Sequence, residues 1–293
     1  MLNTETPNNQ HTELDQYTTE ALVDAFINDQ TEAVNAARAA GPQIAAAVDA
    51  ALPRIQQGGR LIYVGAGTSG RLGVLDSVEL PPTFSWPRER AVALLAGGPS
   101  AMFEAVEGAE DDTGLGLEDI KSLKVGPLDV VLLLAASGAT PYVMGALYAA
   151  KCVGALTIGF ANNPDAPVST AADVGITLDT GSEIISGSTR LKAGTSQKIA
   201  LNTFSSSLMV RLNKVYGNLM VDMKATNAKL LKRTIALTVH ATGADEATAE
   251  RTLSACEHHV KVAIVAIKKQ IDVRQAKTLL DQVDGNVHQA LQR

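Results

Sequence analysis

Leu61-Ile62-Tyr63-Val64-Gly65-Ala66-Gly67-Thr68-Ser69-Gly70-Arg71 is the stretch whose reading decides the fold. Four apolar, β-favouring residues run into a glycine-rich turn, and Leu72, Val74 and Leu75 then begin a helical spacing. The pattern predicts a buried strand, a tight loop and a helix N-terminus. Such a junction accepts an anion, because its first N–H groups lack helical partners and the helix dipole adds positive potential. The hydroxyls of Thr68 and Ser69 and the backbone at Gly70 make this loop a candidate phosphate cradle. The spacing Gly65-x-Gly67-x-x-Gly70 also fits a dinucleotide fingerprint, which requires an acidic residue about 20 residues further on. The next apolar strand, at 91–95, ends in Ala96-Gly97-Gly98 without a carboxylate. A small phosphorylated ligand therefore ranks above a dinucleotide. The plain alternative is a glycine turn that only lets helix and strand pack.

From residue 60 the chain alternates strand and helix. Strands are predicted at 61–64, 91–95, 130–135, 155–160 and 174–178, and helices at 69–79, 100–110, 141–152 and 193–216. Short, wholly apolar strands suit a parallel sheet covered on both faces, and the alternation predicts a doubly wound α/β fold. Ligands of such sheets sit beyond the strand C-termini, where the 65–70 loop lies. The loop after the third strand, Ser137-Gly138-Ala139-Thr140-Pro141, repeats the theme. Thr140 can cap the following helix with Pro141 at its first position, and Ser137, Gly138 and Thr140 form a second donor cluster. A third polar run, 183–198, contains Glu183, Ser188, Arg190 and Lys192 and leads into a long helix. It suits a sugar phosphate, or is simply a solvated helix start.

Outside this core, residues 1–12 are polar and read as flexible or draped over the surface. Residues 15–57 are helical in pattern, with Pro53 as an interruption. The C-terminal part reads as a small helical module, with Asp245 and Asp272 starting helices and Gly285-Asn286 before a last turn. The expected organisation is a helical segment at 1–57, a sugar-phosphate domain at 58–240 and a helical module at 241–293.

The 293-residue chain is 46% hydrophobic and 19% charged, with 25 basic against 31 acidic residues and a net charge of −6. A mildly acidic chain without a basic run argues against nucleic acid as a partner. No apolar run approaches the roughly 20 residues of a membrane span, so no membrane partner is expected, and the N-terminus lacks the features of a secretion signal. Cys152 and Cys256 suggest no disulfide framework, which points to a reducing, cytoplasmic setting. His11, His240, His258, His259 and His288 show no zinc-ligand spacing, so no metal is expected. Acidic residues concentrate at Asp76 and Glu79 and at Glu107, Glu110, Asp111 and Asp112. Surface acids usually serve solvation. The Pro81-Pro82-Thr83-Phe84 run favours Glu79, because a turn there would hold its carboxyl beside an apolar group and suit it to general acid work.

Several motifs occur together: Gly65-Ala66-Gly67-Thr68-Ser69-Gly70-Arg71-Leu72-Gly73, Glu79-x-Pro81-Pro82-Thr83, Ala105-Val106-Glu107-Gly108-Ala109-Glu110-Asp111, Ala136-Ser137-Gly138-x-Thr140-Pro141-Tyr142, the run from Gly187 to Thr195, and Gly217-Asn218-Leu219-Met220-Val221-Asp222. Over nearly its whole length the chain resembles the N-acetylmuramic acid 6-phosphate etherases, bacterial enzymes of the sugar isomerase (SIS) fold. The resemblance implies a homodimer with a C-terminal module similar to ubiquitin-associated domains. It implies cleavage of the D-lactyl ether of N-acetylmuramic acid 6-phosphate to N-acetylglucosamine 6-phosphate and D-lactate, without metal or organic cofactor. By motif, Glu79 matches the proton donor to departing lactate and Glu110 the second catalytic glutamate, the C2 base. Phosphate would lie on Thr68, Ser69, Gly70, Ser137, Gly138 and Thr140, with Glu183 and the 188–192 segment approaching the sugar. Ala139 departs from the pattern, since relatives commonly carry arginine there. Three alternatives stand beside this reading: an aldose–ketose isomerase, a non-catalytic sugar-phosphate sensor like the glucokinase regulatory protein, and, more distantly, an oxidoreductase.

Overall fold

The computed structural model describes residues 2–223 and 228–293. Three helices precede the sheet: α1 (Thr19–Asp29), α2 (Thr31–Ala39) and α3 (Gly41–Gln56). Pro53 does not interrupt α3 but lies within it. The chain then alternates through β1 (Leu61–Gly65), α4 (Gly67–Phe84), β2 (Ala91–Leu95), α5 (Thr113–Ser122), β3 (Val130–Leu134), α6 (Pro141–Cys152), β4 (Leu156–Ala161), α7 (Pro167–Ala171), β5 (Val174–Thr177) and α8 (Lys192–Arg211). The five strands form one parallel sheet in the order β2-β1-β3-β4-β5. This is the doubly wound sheet the apolar runs predict.

Alternation along the strands fills both layers. Ile62 and Val64 of β1 and Val131 and Leu133 of β3 join a buried cluster with Tyr142, Val143, Ala146 and Leu147 of α6. On the other face, α4 closes onto Tyr63 and Leu134, where a Cβ at Gly73 would come 3.0 Å from each side chain. Tyr63 is buried there and its hydroxyl donates to Asp76 Oδ2 at 2.8 Å. Asn202 (2.7 Å) and Ser205 (3.1 Å) of α8 donate to the other oxygen. Burial pushes the Asp76 carboxyl up, against the pull of these three donors. Asp76 thus ties α4, β1 and α8 together.

The helix expected at 100–110 is absent. Pro99–Met102 and Ala109–Asp111 are single 3-10 turns instead, and Gly108 between them adopts φ 75°, a left-handed conformation that glycine takes without strain. The Pro-Pro turn is corrected too: α4 runs through Pro81 and Pro82 to Phe84. Glu79 is exposed within it. The predicted helix at 193–216 stops at Arg211, and β6 (Val215–Tyr216) and β7 (Leu219–Met220) form a hairpin.

The remaining elements are α9 (Ala228–Thr242), α10 (Glu246–Ala255), α11 (Val260–Lys269), α12 (Val273–Asp281) and α13 (Val287–Gln292). Asp245 and Asp272 begin α10 and α12 as the sequence predicts, each as the N-cap and Asp272 within a capping box with Gln275, and Asn286 caps α13. Leu253, Val260, Ile264, Leu280 and Val287 make a separate core here. The chain divides into two compact units, Met1–Val78 with Arg88–Ser206 and Glu79–Pro87 with Ser207–Arg293. The divisions fall inside α4 and α8.

Candidate active site

The strand order reverses between β1 and β3, the switch point where open α/β sheets bind ligands. A cavity of about 380 Å³ opens there. The loop after β1 supplies Ala66, Gly67, Thr68 and Ser69, and the loop after β3 supplies Ala136, Ser137, Ala139, Thr140 and Pro141. Glu110, Asp111, Thr189 and Glu5 complete the wall. All of these belong to the first unit.

The β1 loop can turn into α4 because two glycines touch. A Cβ at Gly65 would lie 2.7 Å from Gly70 N, and one at Gly70 2.6 Å from Gly65 O. Gly70 therefore makes the turn without lining the cavity. Its N–H donates to Ala66 O at 3.1 Å, so the N–H groups of Gly67, Thr68 and Ser69 precede the first helical bond and stay available. In the β3 loop the Gly138 N–H is likewise spent on Ala135 O at 3.0 Å, and Gly138 does not line the cavity. Thr140 is the N-cap residue of α6, but its side chain makes no cap bond. Its hydroxyl instead lies 3.5 Å from Ser137 Oγ, which accepts from the Ala139 N–H at 3.3 Å. Among the described residues the wall carries no lysine or arginine. An anion here would be held by neutral donors and the dipoles of α4 and α6.

The acidic cluster separates by role. Asp112 caps α5, accepting from Leu115 N–H at 2.9 Å. Glu107 is exposed outside the cavity, while Glu110 and Asp111 line it. Glu79 falls in the second unit.

The third polar run is largely structural. Glu183 is fully buried and its oxygens accept the N–H groups of Lys192 (3.1 Å) and Ala193 (2.9 Å), capping α8. Burial pushes its carboxyl up, against these bonds and the Lys192 ammonium. Lys192 Nζ pairs with Asp29 Oδ1 at 2.6 Å, with only 5% and 8% of the two side chains exposed. Ser188 and Arg190 do not line the cavity, whereas Thr189 between them does. Glu5 was not among the expected site residues. Its segment has no periodicity, and the contacts that place it lie some 160 residues away in sequence, so no local pattern announces it.

A second cavity of about 390 Å³ lies in the other unit, beside Lys261 and Asp222. Asp222 Oδ2 already accepts from Lys214 (2.6 Å) and Lys261 (3.1 Å). Among the described residues no strand-end hydroxyl loop lines it. Among the described residues no helix is long and apolar enough to cross a membrane, and both cysteines are free thiols.

Comparison with known proteins adds the family. Residues 43–151 match the family model described as the glucokinase regulatory protein N-terminal SIS domain. The chain is 56% identical to an N-acetylmuramic acid 6-phosphate etherase of Deinococcus radiodurans, over 96% of this chain and 92% of that protein. It is 45% identical to N-acetylmuramic acid 6-phosphate etherase 2 of Vibrio parahaemolyticus, over 98% and 96%. A phosphoheptose isomerase from Francisella tularensis shares the fold at 17% identity, with a TM-score of 0.51 over 66% of this chain and 100% of that one. With relatives this similar along almost its entire length, the chain belongs to the N-acetylmuramic acid 6-phosphate etherase family.

Proposed function

We propose that the protein cleaves the D-lactyl ether of N-acetylmuramic acid 6-phosphate, releasing D-lactate and N-acetylglucosamine 6-phosphate. What carries this reading is one cavity in which neutral phosphate donors and the carboxylate of Glu110 meet. Family membership supplies the substrate. Thr68, Ser69, Ser137 and Thr140 hold the phosphate with the N–H groups at the start of α4. In the opened sugar the C1 aldehyde acidifies the C2 proton, which Glu110 removes. Glu79, which holds the acid's place in the motif, protonates the C3 ether oxygen as lactate departs. Water then adds across the unsaturated aldehyde, its oxygen to C3 and its proton to C2. One carboxylate and one carboxylic acid suffice for these proton transfers. Incubation with N-acetylmuramic acid 6-phosphate should release D-lactate stoichiometrically with N-acetylglucosamine 6-phosphate. Binding of the sugar phosphate without lactate release would favour the sensor reading suggested by the match over residues 43–151.

The working form is a cytoplasmic homodimer. The apolar Val23 and Ile27, one turn apart on α1, are 51% and 64% exposed and suit cover by a second copy. Light scattering giving a monomer mass at assay concentration would exclude the dimer.

Ala139 tests how the phosphate is held. It is exposed at the cavity wall, which has no lysine or arginine among the described residues. Ala139→Arg should tighten inorganic phosphate binding about three- to tenfold, with a steeper salt dependence, because a guanidinium adds charge-assisted bonds to the oxygens. Unchanged affinity in calorimetric titration would place the phosphate elsewhere.

A further inference from the structure

The N-terminal arm is built into the site. Asn3–Glu5 forms one 3-10 turn in which Thr4 is fully buried. The Thr4 N–H donates to Asn163 Oδ1 at 3.2 Å, and its hydroxyl accepts from Asn163 Nδ2 at 3.1 Å. The same Nδ2 donates to Ala136 O at 3.0 Å, immediately before Ser137. The Thr4 carbonyl accepts the Gly187 N–H at 3.3 Å, two residues before Thr189. On either side, Asn3 donates to Asp179 (3.1 Å) and the Asn8 N–H to Ser186 (3.4 Å). One buried amide therefore joins the arm to a cradle loop, and the backbone of Glu5 is fixed from both sides.

The Glu5 carboxylate lines the same cavity as Thr68, Ser69, Ser137 and Thr140. A Cβ at Gly187 would come 3.1 Å from Glu5 Oε2, so glycine leaves room for this group. The Glu5 N–H donates to Leu2 O at 3.0 Å, but among the described residues its carboxylate accepts no hydrogen bond and forms no ion pair. An ionised carboxylate only accepts hydrogen bonds, and it repels a phosphate. What it can take from a ligand in this cavity is a neutral donor.

We propose that Glu5 is a substrate-binding residue whose carboxylate accepts a hydrogen bond from a hydroxyl or acetamido N–H of the sugar. It thereby selects the amino-sugar phosphate over phosphate alone. This rests on the sugar-phosphate reading of the cavity and adds to it a residue from the opposite end of the sequence. A hydrogen bond to a charged group corresponds to an affinity change of about tenfold to a hundredfold. Calorimetric titration of the full chain with N-acetylglucosamine 6-phosphate and with inorganic phosphate tests it, using wild type, Glu5→Ala and Glu5→Gln. Glu5→Ala should weaken the sugar phosphate by about tenfold or more and leave inorganic phosphate unchanged or tighter. Glu5→Gln, which keeps a carbonyl acceptor, should fall between. Parallel weakening of both ligands would make the arm a structural strap and overturn the proposal, as would an unchanged sugar phosphate affinity. Wild type binding neither ligand would remove the sugar-phosphate reading and this proposal with it.

Discussion

Glutamine at position 110 is expected to lower D-lactate release by about 10²- to 10⁴-fold, the usual effect of removing a positioned acid or base. Glu110 lies on a 3-10 turn at the cavity wall, so the substitution keeps size and polarity and removes the negative charge together with the capacity to take up a proton. The cradle is untouched, and inorganic phosphate affinity should hold or rise slightly as a negative charge is lost. Glu79→Gln should suppress lactate release comparably. The two variants should differ in heavy water. If Glu110 is the C2 base, Glu110→Gln loses hydrogen exchange at C2 together with lactate release. Glu79→Gln continues the exchange while the ether stays intact. The opposite pattern would interchange the two roles, and full turnover in either variant would remove that glutamate from the mechanism.

What the sequence makes legible follows the range of the interaction. The strands are readable because each is a short apolar run bounded by glycine or polar residues, and β1 to β5 begin or end within one residue of their predicted limits. The switch-point cavity is readable because two Ser/Thr-Gly loops follow two strands, and such loops lie side by side wherever the strand order reverses. Local rules fail where a local preference is overridden or has nothing to act on. Residues 100–110 have a helical rhythm, but the chain leaves helical geometry after Met102 and Gly108 takes a left-handed conformation before the next 3-10 turn. Pro81 and Pro82 read as a break, yet α4 ends only two residues later, so they disturb just its last turn. Thr83 Oγ1 donates to the Glu79 carbonyl at 2.7 Å within that turn. Gly70 and Gly138 resemble anion-binding glycines, but a close backbone approach at one and a spent N–H at the other give them structural work. Glu5 and the partner of Lys192 are set by contacts across more than 150 residues, which no periodicity encodes.

Lys192 carries the largest expected stability effect. Its motif position suggested contact with the sugar, but its ammonium is held by Asp29, and both side chains are almost fully buried. Asp29 is the last residue of α1, where the helix dipole disfavours a negative charge. Its Oδ2 is buried without a hydrogen-bond partner among the described residues. Lys192 is thus the group that makes the buried Asp29 tolerable. Lys192→Met should cost about 3–5 kcal/mol, because it strands a charge in the interior. That is a large share of the roughly 5–15 kcal/mol by which a domain is stable. Removing both charges in Asp29→Leu/Lys192→Met should recover most of the loss, since well-packed apolar pairs commonly replace buried ion pairs at little cost. Urea unfolding of the two variants and wild type, with N-acetylglucosamine 6-phosphate affinity measured in parallel, separates the two roles. A stable Lys192→Met protein that binds the sugar phosphate much more weakly would return Lys192 to the ligand and refute its structural role.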